Sequence, residues 1–184
     1  MQNHTLFLDR DGVINQRIPD AYVNHWDDFR FHRGAVEAIV RFSQLFERII
    51  VVTNQQGIGK GIMTVHQLNR IHQRMEEALV KAGGRIDGIY FCGDLKSQAN
   101  NCRKPAPAMA LQAQKDFPAI DFQQSIMVGD SISDLQFGRK LGMKTVLITT
   151  KLDEKYLWEQ HQKDWDYQFE SLAEMARKVD EVRN

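Results

Sequence analysis

Short apolar runs alternate with longer amphipathic segments along most of the chain, and this alternation limits the folds that the chain can adopt. The apolar runs cover residues 6–8, 48–54, 86–94, 125–131 and 144–150, and the amphipathic segments cover 34–46, 64–83, 107–117 and 133–142. Runs that are apolar on both faces are typical of strands in a parallel sheet covered by helices. The pattern therefore predicts an α/β fold with a doubly wound parallel sheet, in which residues 1–184 form one domain.

The segment 64–83 has a clear helical pattern. Its apolar side chains recur at three- and four-residue steps from Val65 to Ala82, which places them on one helix face. Thr64 is a candidate N-cap and Gly83 a candidate stop. The tail, from about 152 to 181, predicts two weaker helices around the sequence DYQFES.

Two long connections, 10–33 and 93–106, fit neither the strand pattern nor the helix pattern. Connections of this length are uncommon in a compact domain unless they are functional. Each one leaves the carboxyl end of a predicted strand, where open α/β sheets bind their ligands. We therefore expect the functional site at this edge of the sheet.

Composition argues against several classes of protein. The 184 residues include 24 basic and 24 acidic side chains, so a nucleic acid or an anionic membrane is not the expected main partner. No apolar run approaches the roughly 18 residues of a membrane helix, and the N-terminus lacks the pattern of a signal peptide. With only Cys92 and Cys102 present, no disulfide framework is expected and a reducing cytoplasm is the predicted location. A monomer is the default expectation.

Polar residues follow four of the predicted strands at their carboxyl ends. An acidic cluster without histidine offers oxygen ligands, which favour Mg²⁺ over Zn²⁺. The residues are Asp9 and Asp11 after the first strand, Thr53 at the end of the second, Lys104 beyond the third, and Asp130 and Asp134 after the fourth.

These residue types can perform phosphoryl transfer. With a cation in place, Asp9 could attack a phosphorus atom as a carboxylate nucleophile. Asp11, two residues further on, could protonate the leaving alkoxide and then activate a water molecule. Thr53 and Lys104 could hold the oxygens of the transferred phosphoryl group. The strand-end residues thus indicate an enzyme that acts on phosphate esters.

Four short segments resemble the motifs of the haloacid-dehalogenase (HAD) phosphatase superfamily, in the order of that superfamily. They read FLDRDG, VVTNQ, RKP and VGDSISD and are spread over residues 7–134. The resemblance implies that Asp9 forms an aspartyl-phosphate and that Asp11 is the general acid and base. It also implies that Asp9, the backbone carbonyl of Asp11 and Asp130 bind Mg²⁺, while Asp134 orients that shell through water or Lys104.

Within the superfamily, DRDGVIN, TNQQGIGKG and CRKPAP resemble the capless heptose-bisphosphate and histidinol-phosphate phosphatases, which implies that there is no separate cap domain. In that subgroup a zinc loop of the form C-x-H…C-x-C precedes the third motif. Cys92 and Cys102 occupy its first and last places, but Asp94 and Asn100 stand at the other two. Because Asn is a poor zinc ligand, bound zinc is not expected, and the loop must be ordered by its own hydrogen bonds.

Substrate contacts are expected from two motifs and one loop. The resemblance places the residues after the second strand near the substrate, and the loop 16–33 is expected to contribute as well. The guanidinium of Arg103 has a planar fork suited to a second phosphate. The candidates are Asn54, Gln55, Gln56, Arg17, Asp20, Tyr22 and Arg103.

Several functions stay open at this point. The first choice of substrate is the 7-phosphate of a heptose 1,7-bisphosphate, and histidinol phosphate is the second. TNQQGIGKG also resembles the second motif of polynucleotide 3′-phosphatases, although the zero net charge argues against that activity. Outside the enzymes, a phospho-receiver domain takes phosphate on Asp without turning it over, but receivers carry that Asp on the third strand.

Two other features are interpreted as structural. The sequence GIGKG at 57–61 is not a P-loop, because that motif requires a glycine where Asn54 stands, and it predicts a turn leading into the next helix. The six histidines form no pair with ligand-like spacing, since His66 and His72 are six residues apart and do not share a helix face. All six are interpreted as surface or packing residues.

Overall fold

Six parallel strands form a single sheet in the computed structural model of the protein, which describes residues 4–18, 21–161 and 164–183. The strand order is β3-β2-β1-β4-β5-β6, which is that of a doubly wound fold. The strands are β1 (Thr5–Leu8), β2 (Arg48–Asn54), β3 (Gly88–Cys92), β4 (Ile126–Gly129), β5 (Lys144–Ile148) and β6 (Tyr167–Phe169). The predicted fold class is confirmed.

The helices follow the strands as the periodicity predicts, with ends that shift by a few residues. Thr64 caps α3 through a capping box with Gln67, as expected for an N-cap with a side-chain amide at the third helical position. Gly83 has a positive φ of 90° just beyond the end of that helix. The helices are α1 (Ala35–Leu45), α2 (Gln56–Gly59), α3 (Val65–Lys81), α4 (Ala108–Asp116), α5 (Ile132–Lys140), α6 (Lys155–Gln160), α7 (Leu172–Arg177) and α8 (Val179–Arg183).

Two expectations about local structure need correction. The sequence DYQFES was expected only as the junction between two helices, but Tyr167–Phe169 form the edge strand β6, which pairs with β5 from Val146 to Ile148. A strand of three residues is too short to display an alternating pattern. The stretch after β2 was expected as a turn, but Gln56–Gly59 form one turn of helix before the chain reverses.

The two faces of the sheet carry different cores because successive side chains of a strand point to opposite sides. Leu6 and Leu8 of β1 pack with helices α1, α3, α7 and α8 on one face. Phe7, between them, packs with residues of α4 and α5 on the other face. Both faces are therefore buried, which explains why the central strands are continuous apolar runs.

Strands β1 and β4 are neighbours at the centre of the sheet, paired from Leu6–Ile126 to Leu8–Val128. In this strand order they flank the point at which the winding reverses, and their carboxyl ends leave a crevice there. In the residues described, the connection after β1 contains only a 3₁₀ turn at Trp26–Asp28, and the connection after β3 contains no helix or strand. No described helix has the length and apolarity needed to cross a bilayer.

Helix α5 lies close enough to the sheet for Gly138 to be required. A Cβ atom at this position would lie 2.7 Å from Cγ2 of Thr145 and 2.8 Å from Cβ of Met127. Neither atom is the far end of a flexible side chain, so we expect Gly138→Ala to lower the free energy of unfolding by ~1–3 kcal/mol despite the better helix propensity of alanine. Urea unfolding of this variant beside Lys140→Ala, an exposed site on the same helix, measures the effect. Equal stabilities would contradict the close approach of α5.

Candidate active site

Asp9 and Asp130 meet at the crevice because each directly follows one of the two central strands. The backbone N–H of Asp9 donates to the carbonyl of Val128 at 2.9 Å, which continues the ladder one residue past β1. Gly12 has a φ of +99°, and a Cβ atom there would lie 1.8 Å from Oδ2 of Asp130. The turn after β1 therefore requires glycine, which lets the backbone approach the Asp130 carboxylate.

Lys104 brings three segments of the chain together at this point. Its Nζ donates to Oδ1 of Asp9 at 2.6 Å and to the carbonyl of Val52 at 2.7 Å, and it lies 2.7 Å from Oδ1 of Asp134. The side chain is buried, and although burial alone would lower its pKa, the carboxylates of Asp134 and Asp9 raise it above the usual lysine value. Lys104 is therefore a fixed positive charge in a pocket that excludes water.

Asp134 is held by the first turn of α5 as well as by Lys104. The hydroxyl of Ser131 donates to Oδ2 of Asp134 at 2.6 Å, and the backbone N–H of Ser131 donates to the same oxygen at 3.0 Å. Burial would raise the pKa of Asp134, but the charge and hydrogen bond of Lys104 and the bond from Ser131 lower it. Asp134 is thus an anion that orients the lysine; its expected role in orienting a Mg²⁺ shell stays a prediction.

The other two carboxylates are harder to ionise. Burial raises the pKa of Asp9 to about 6, with Lys104 opposing that shift and Asp134 adding to it. Burial also raises the pKa of Asp130 to about 7, even though Arg17 donates to both of its oxygens at 2.7 Å. Arg17 was expected as a substrate contact, and the structure instead places its guanidinium against this carboxylate.

Three of these carboxylates form a group that fits a divalent cation. One oxygen each of Asp9, Asp130 and Asp134 lies within 4.8 Å of the others. When all three carboxylates are ionised, Lys104 and Arg17 bring two positive charges to three negative ones, and one negative charge is left that a bound cation would offset. The donors are all oxygen atoms, the type of ligand that Mg²⁺ prefers. The residues present therefore suit the cation that the sequence predicts.

Asp11 lies beside this group but its carboxylate contacts different residues. Arg10 Nη2 lies 2.9 Å from both of its oxygens, Asn15 donates to Oδ1 at 2.9 Å, and Gln55 donates to Oδ2 at 2.7 Å. Burial would raise the pKa of Asp11, but the charge and hydrogen bonds of Arg10, with those of Asn15 and Gln55, lower it below its usual value. Three side chains thus donate hydrogen bonds to the Asp11 carboxylate and favour its ionised form.

The last residues of β2 and those that follow it hold other parts of the site in place. Thr53 is buried and its hydroxyl accepts a hydrogen bond from Gln55 at 3.0 Å. Asn54 accepts from the backbone N–H of Lys104 at 2.9 Å, and so fixes the segment that carries the lysine. Gln56 accepts from the backbone N–H of Lys96 at 2.9 Å. The structure thus places Asn54 and Gln56, expected beside the substrate, in contact with the connection after β3.

Tyr22 and Arg103 are the two remaining substrate candidates from the connections after β1 and β3. The nearby Tyr22 tends to raise the pKa of Arg103, although burial dominates and lowers it. Nη1 of Arg103 lies 3.4 Å from the carbonyl of Asp94, and Lys60 lies 5.4 Å from the centre of the Tyr22 ring. Lys60 therefore lies over the Tyr22 ring, and Arg103 lies against the backbone of the connection after β3. Asp20, the third loop candidate, lies outside the described residues.

The connection after β3 is closed by a covalent bond that the sequence analysis did not expect. Cys92, at the end of β3, forms a disulfide with Cys102. Asp94 also holds the loop, because its Oδ2 accepts from the backbone N–H of Cys102 at 2.9 Å, and its carboxylate lies within 4.8 Å of both sulfur atoms. The sequence analysis expected no disulfide framework, and this was wrong because two cysteines say nothing by themselves about which backbone positions meet. Absence of zinc stays a prediction.

Two buried residues near Asp11 escaped the sequence analysis. Arg10 was read only as part of a motif, and its side chain is fully buried. His72, interpreted as a surface or packing residue, is a buried residue of α3, and its Nε2 also lies 3.1 Å from Nη1 of Arg10. The position of Arg10 between two aspartates was a signal that it belongs to the site. The helical periodicity of α3 gives no signal that His72 contacts Arg10.

A buried lysine lies between two carboxylates at the switch point of a parallel sheet, which is where the HAD-like motifs predicted the active site of a phosphatase. A HAD-hydrolase-like family model matches residues 101–175. The chain is 38% identical to the D-glycero-beta-D-manno-heptose-1,7-bisphosphate 7-phosphatase of Helicobacter pylori, over 85% of this chain and 90% of that protein. It is 35% identical to the enzyme of the same name from Pasteurella multocida, over 95% of both chains.

A solved structure gives the same result. The D,D-heptose 1,7-bisphosphate phosphatase from B. bronchiseptica, complexed with magnesium and phosphate, superposes with a TM-score of 0.87 at 32% identity, and the match covers 96% of this chain and 98% of that one. The chain therefore belongs to the heptose-bisphosphate phosphatase family of the HAD superfamily, and it is a phosphoric monoester hydrolase. The family that the motifs predicted is confirmed.

The thiols of the purified protein provide a test of the loop after β3. We expect no reactive thiol in the unfolded, unreduced chain and two after reduction, because Cys92 and Cys102 are paired. Elemental analysis is expected to find no zinc. As a control, Cys92→Ser should leave one reactive thiol, that of Cys102. One zinc per chain together with two reactive thiols would contradict both the disulfide and the interpretation of Asp94 and Asn100.

Proposed function

We propose that this protein removes the 7-phosphate from a heptose 1,7-bisphosphate, with Asp9 as the nucleophile. The observation that carries the proposal is the buried contact of Lys104 with Asp9, beside Asp130 at the switch point. This places a carboxylate, a fixed cation and a group of oxygen ligands in one crevice. The choice of substrate is supported by the printed names of relatives that align over most of the chain.

The reaction proceeds in two steps. A carboxylate oxygen of Asp9 attacks the phosphorus atom, the bond from phosphorus to the sugar oxygen breaks, and Asp11 gives that oxygen a proton. Asp11 then takes a proton from water, which attacks the phosphorus of the aspartyl-phosphate and releases inorganic phosphate and Asp9. The lowered pKa of Asp11 suits the second step. The first step requires a proton on one oxygen of Asp11, and the other oxygen then keeps the contact with Arg10.

Bound Mg²⁺ would supply a positive charge that offsets the negative charge gathered on the phosphoryl oxygens in the transition state. Asp9, the backbone carbonyl of Asp11 and Asp130 are the residues proposed to hold it, with Asp134 supporting them through Lys104. Lys104 and the hydroxyl of Thr53 bind the phosphoryl oxygens from the protein side. Because Asp9, Asp130 and Asp134 are buried, their charges interact strongly with that of Lys104.

We assign the second phosphate of the substrate to Arg103, and we propose Tyr22 as a further substrate contact. A guanidinium can bind a phosphate through two parallel hydrogen bonds. Gln55, which donates to Asp11, is proposed as a contact of the sugar. A polynucleotide substrate is less favoured, because the net charge is zero and the sequence has no extended stripe of basic residues.

Location and oligomeric state stay predictions, with a cytoplasmic monomer as the expectation. Disulfides are rare in reducing compartments, so a Cys92–Cys102 disulfide that forms in the cell would argue against the predicted cytoplasmic location. The thiol count of protein purified without exposure to oxidants decides whether the pair forms in the cell.

A screen for phosphate release tests the function itself. Purified protein is assayed against heptose 1,7-bisphosphate, histidinol phosphate and a set of other phosphorylated metabolites, with Mg²⁺ and with EDTA. We expect the highest kcat/KM for the heptose bisphosphate, activity that EDTA abolishes, and recovery on adding Mg²⁺. Full activity after exhaustive chelation would contradict the metal site, and a preference for histidinol phosphate would replace the substrate.

Replacement of the nucleophile tests the covalent mechanism. Asp9→Asn should abolish turnover, because the amide keeps the volume and the acceptor for Lys104 but cannot attack phosphorus. Steady-state phosphate release measures this, and a thermal melt verifies the fold. Asp180→Asn, on the exposed part of α8, should retain wild-type activity. More than a few per cent of the wild-type rate in Asp9→Asn would rule out the aspartyl-phosphate.

Removal of Arg103 tests the bisphosphate assignment. Arg103→Ala should raise KM at least tenfold for the sugar bisphosphate and much less for a sugar monophosphate, because only the former has a second phosphate to bind. Michaelis kinetics on both substrates measure the difference, with Lys115→Ala on the exposed face of α4 as the control. Equal losses on both substrates would remove the assignment of Arg103 to the second phosphate and leave the phosphatase activity intact.

A further inference from the structure

Arg10 is an unusual residue to find in the core of the molecule. Its side chain is fully buried, and it is the bulkiest of the fully buried side chains among the described residues. Its Nε has no hydrogen-bond partner in the part of the chain that the structure describes. A buried charge with an unsatisfied donor costs free energy. Stability alone therefore does not account for an arginine at this position.

The two terminal nitrogens of Arg10 contact two different residues. Nη2 lies 2.9 Å from both oxygens of Asp11, and Nη1 lies 3.1 Å from Nε2 of His72. Arg10 and Asp11 are neighbours in the chain, whereas His72 is 62 residues away on α3. The guanidinium thus links the proposed acid and base to a helix that carries none of the other site residues.

The direction of the contact with His72 follows from its chemistry. A guanidinium has five donors and no acceptor, so Nε2 of His72 must accept, and the proton of the neutral ring is on Nδ1. Burial, and then the charge of Arg10, lower the pKa of His72 to about 3, which agrees with a neutral ring. His72 therefore fixes one arm of the guanidinium, and the other arm is left for Asp11.

The remaining contacts of Asp11 do not replace this one. Asn15 and Gln55 each donate to a single oxygen of Asp11, and both are neutral. Gln55 also donates to Thr53, so its orientation serves two acceptors. Arg10 is the charged donor and approaches both oxygens. Without Arg10, the hydrogen-bond donors left to Asp11 among the described residues would be neutral amides.

We propose that His72 and Arg10 are positioning residues, which together hold the Asp11 carboxyl in the orientation from which it gives a proton to the departing sugar oxygen. The inference rests on the proposed role of Asp11. It assigns a function to a helix face that otherwise only packs. His72 does not touch substrate, and its effect on the reaction passes through Arg10.

The test compares two substrates that differ in their need for an acid. A sugar phosphate leaves as an alkoxide and needs a proton, whereas p-nitrophenyl phosphate leaves as a stable anion and hardly needs one. The value of kcat/KM reports events up to departure of this group. The ratio of kcat/KM for the sugar phosphate to that for p-nitrophenyl phosphate is independent of the fraction of folded enzyme, since that fraction cancels.

We expect His72→Phe to lower this ratio about tenfold, a part of the ~10²–10⁴-fold that a general acid contributes. His72→Gln keeps an acceptor for Arg10 and should restore the ratio to within about twofold of wild type. Arg10→Met should lower it at least as far as His72→Phe does. His66→Phe, an exposed site on the same helix, is the matched control and should leave the ratio unchanged.

Asp11→Asn separates the two possible failures. If it lowers the ratio while His72→Phe and Arg10→Met leave it within about twofold of wild type, Asp11 is the acid and the positioning role is wrong. If Asp11→Asn itself leaves the ratio unchanged, the acid role of Asp11 is wrong, and the role of His72 and Arg10 falls with it.

Discussion

The buried ammonium of Lys104 is the interaction on which the site depends. It contacts Asp9 at the end of β1, the carbonyl of Val52 in β2 and Asp134 on α5, all at 2.6–2.7 Å. Without it, two buried carboxylates would face each other with no cation between them, and repulsion would separate the ends of their elements. Asn54 holds the backbone of the lysine in turn. The connection after β3 thus becomes part of the sheet edge.

The other charged side chains near Lys104 are also paired with groups of opposite charge. Arg17 neutralises Asp130, and Arg10 neutralises Asp11, so each buried carboxylate has a cation close by. These cations come from the connection after β1. A site built this way has its dipoles and charges in place before substrate arrives, which is the arrangement that lowers the cost of reorganisation during phosphoryl transfer.

Most of the fold could be predicted because its signals are local and repeated. The four longer helices were predicted from a periodicity of 3.6 residues, and five strands were predicted from continuous apolar runs. The ends of these elements lie within a few residues of the predicted ones. The edge strand Tyr167–Phe169 was missed because three residues give no period, and its existence depends on pairing with β5. The short helix Gln56–Gly59 was missed because one turn stabilised by its surroundings has no sequence signature.

The sequence by itself determined which side chains gather at the sheet edge. Parallel strands place their carboxyl ends side by side, so Asp9, Asp130 and the residues after β2 had to converge once the strands were known. Only the tertiary structure decided which side chains pair with each other. The contacts of Arg17 with Asp130 and of Arg10 with His72 join residues 113 and 62 positions apart. Such pairs depend on how the loops and α3 pack against the sheet, and no local pattern encodes that packing.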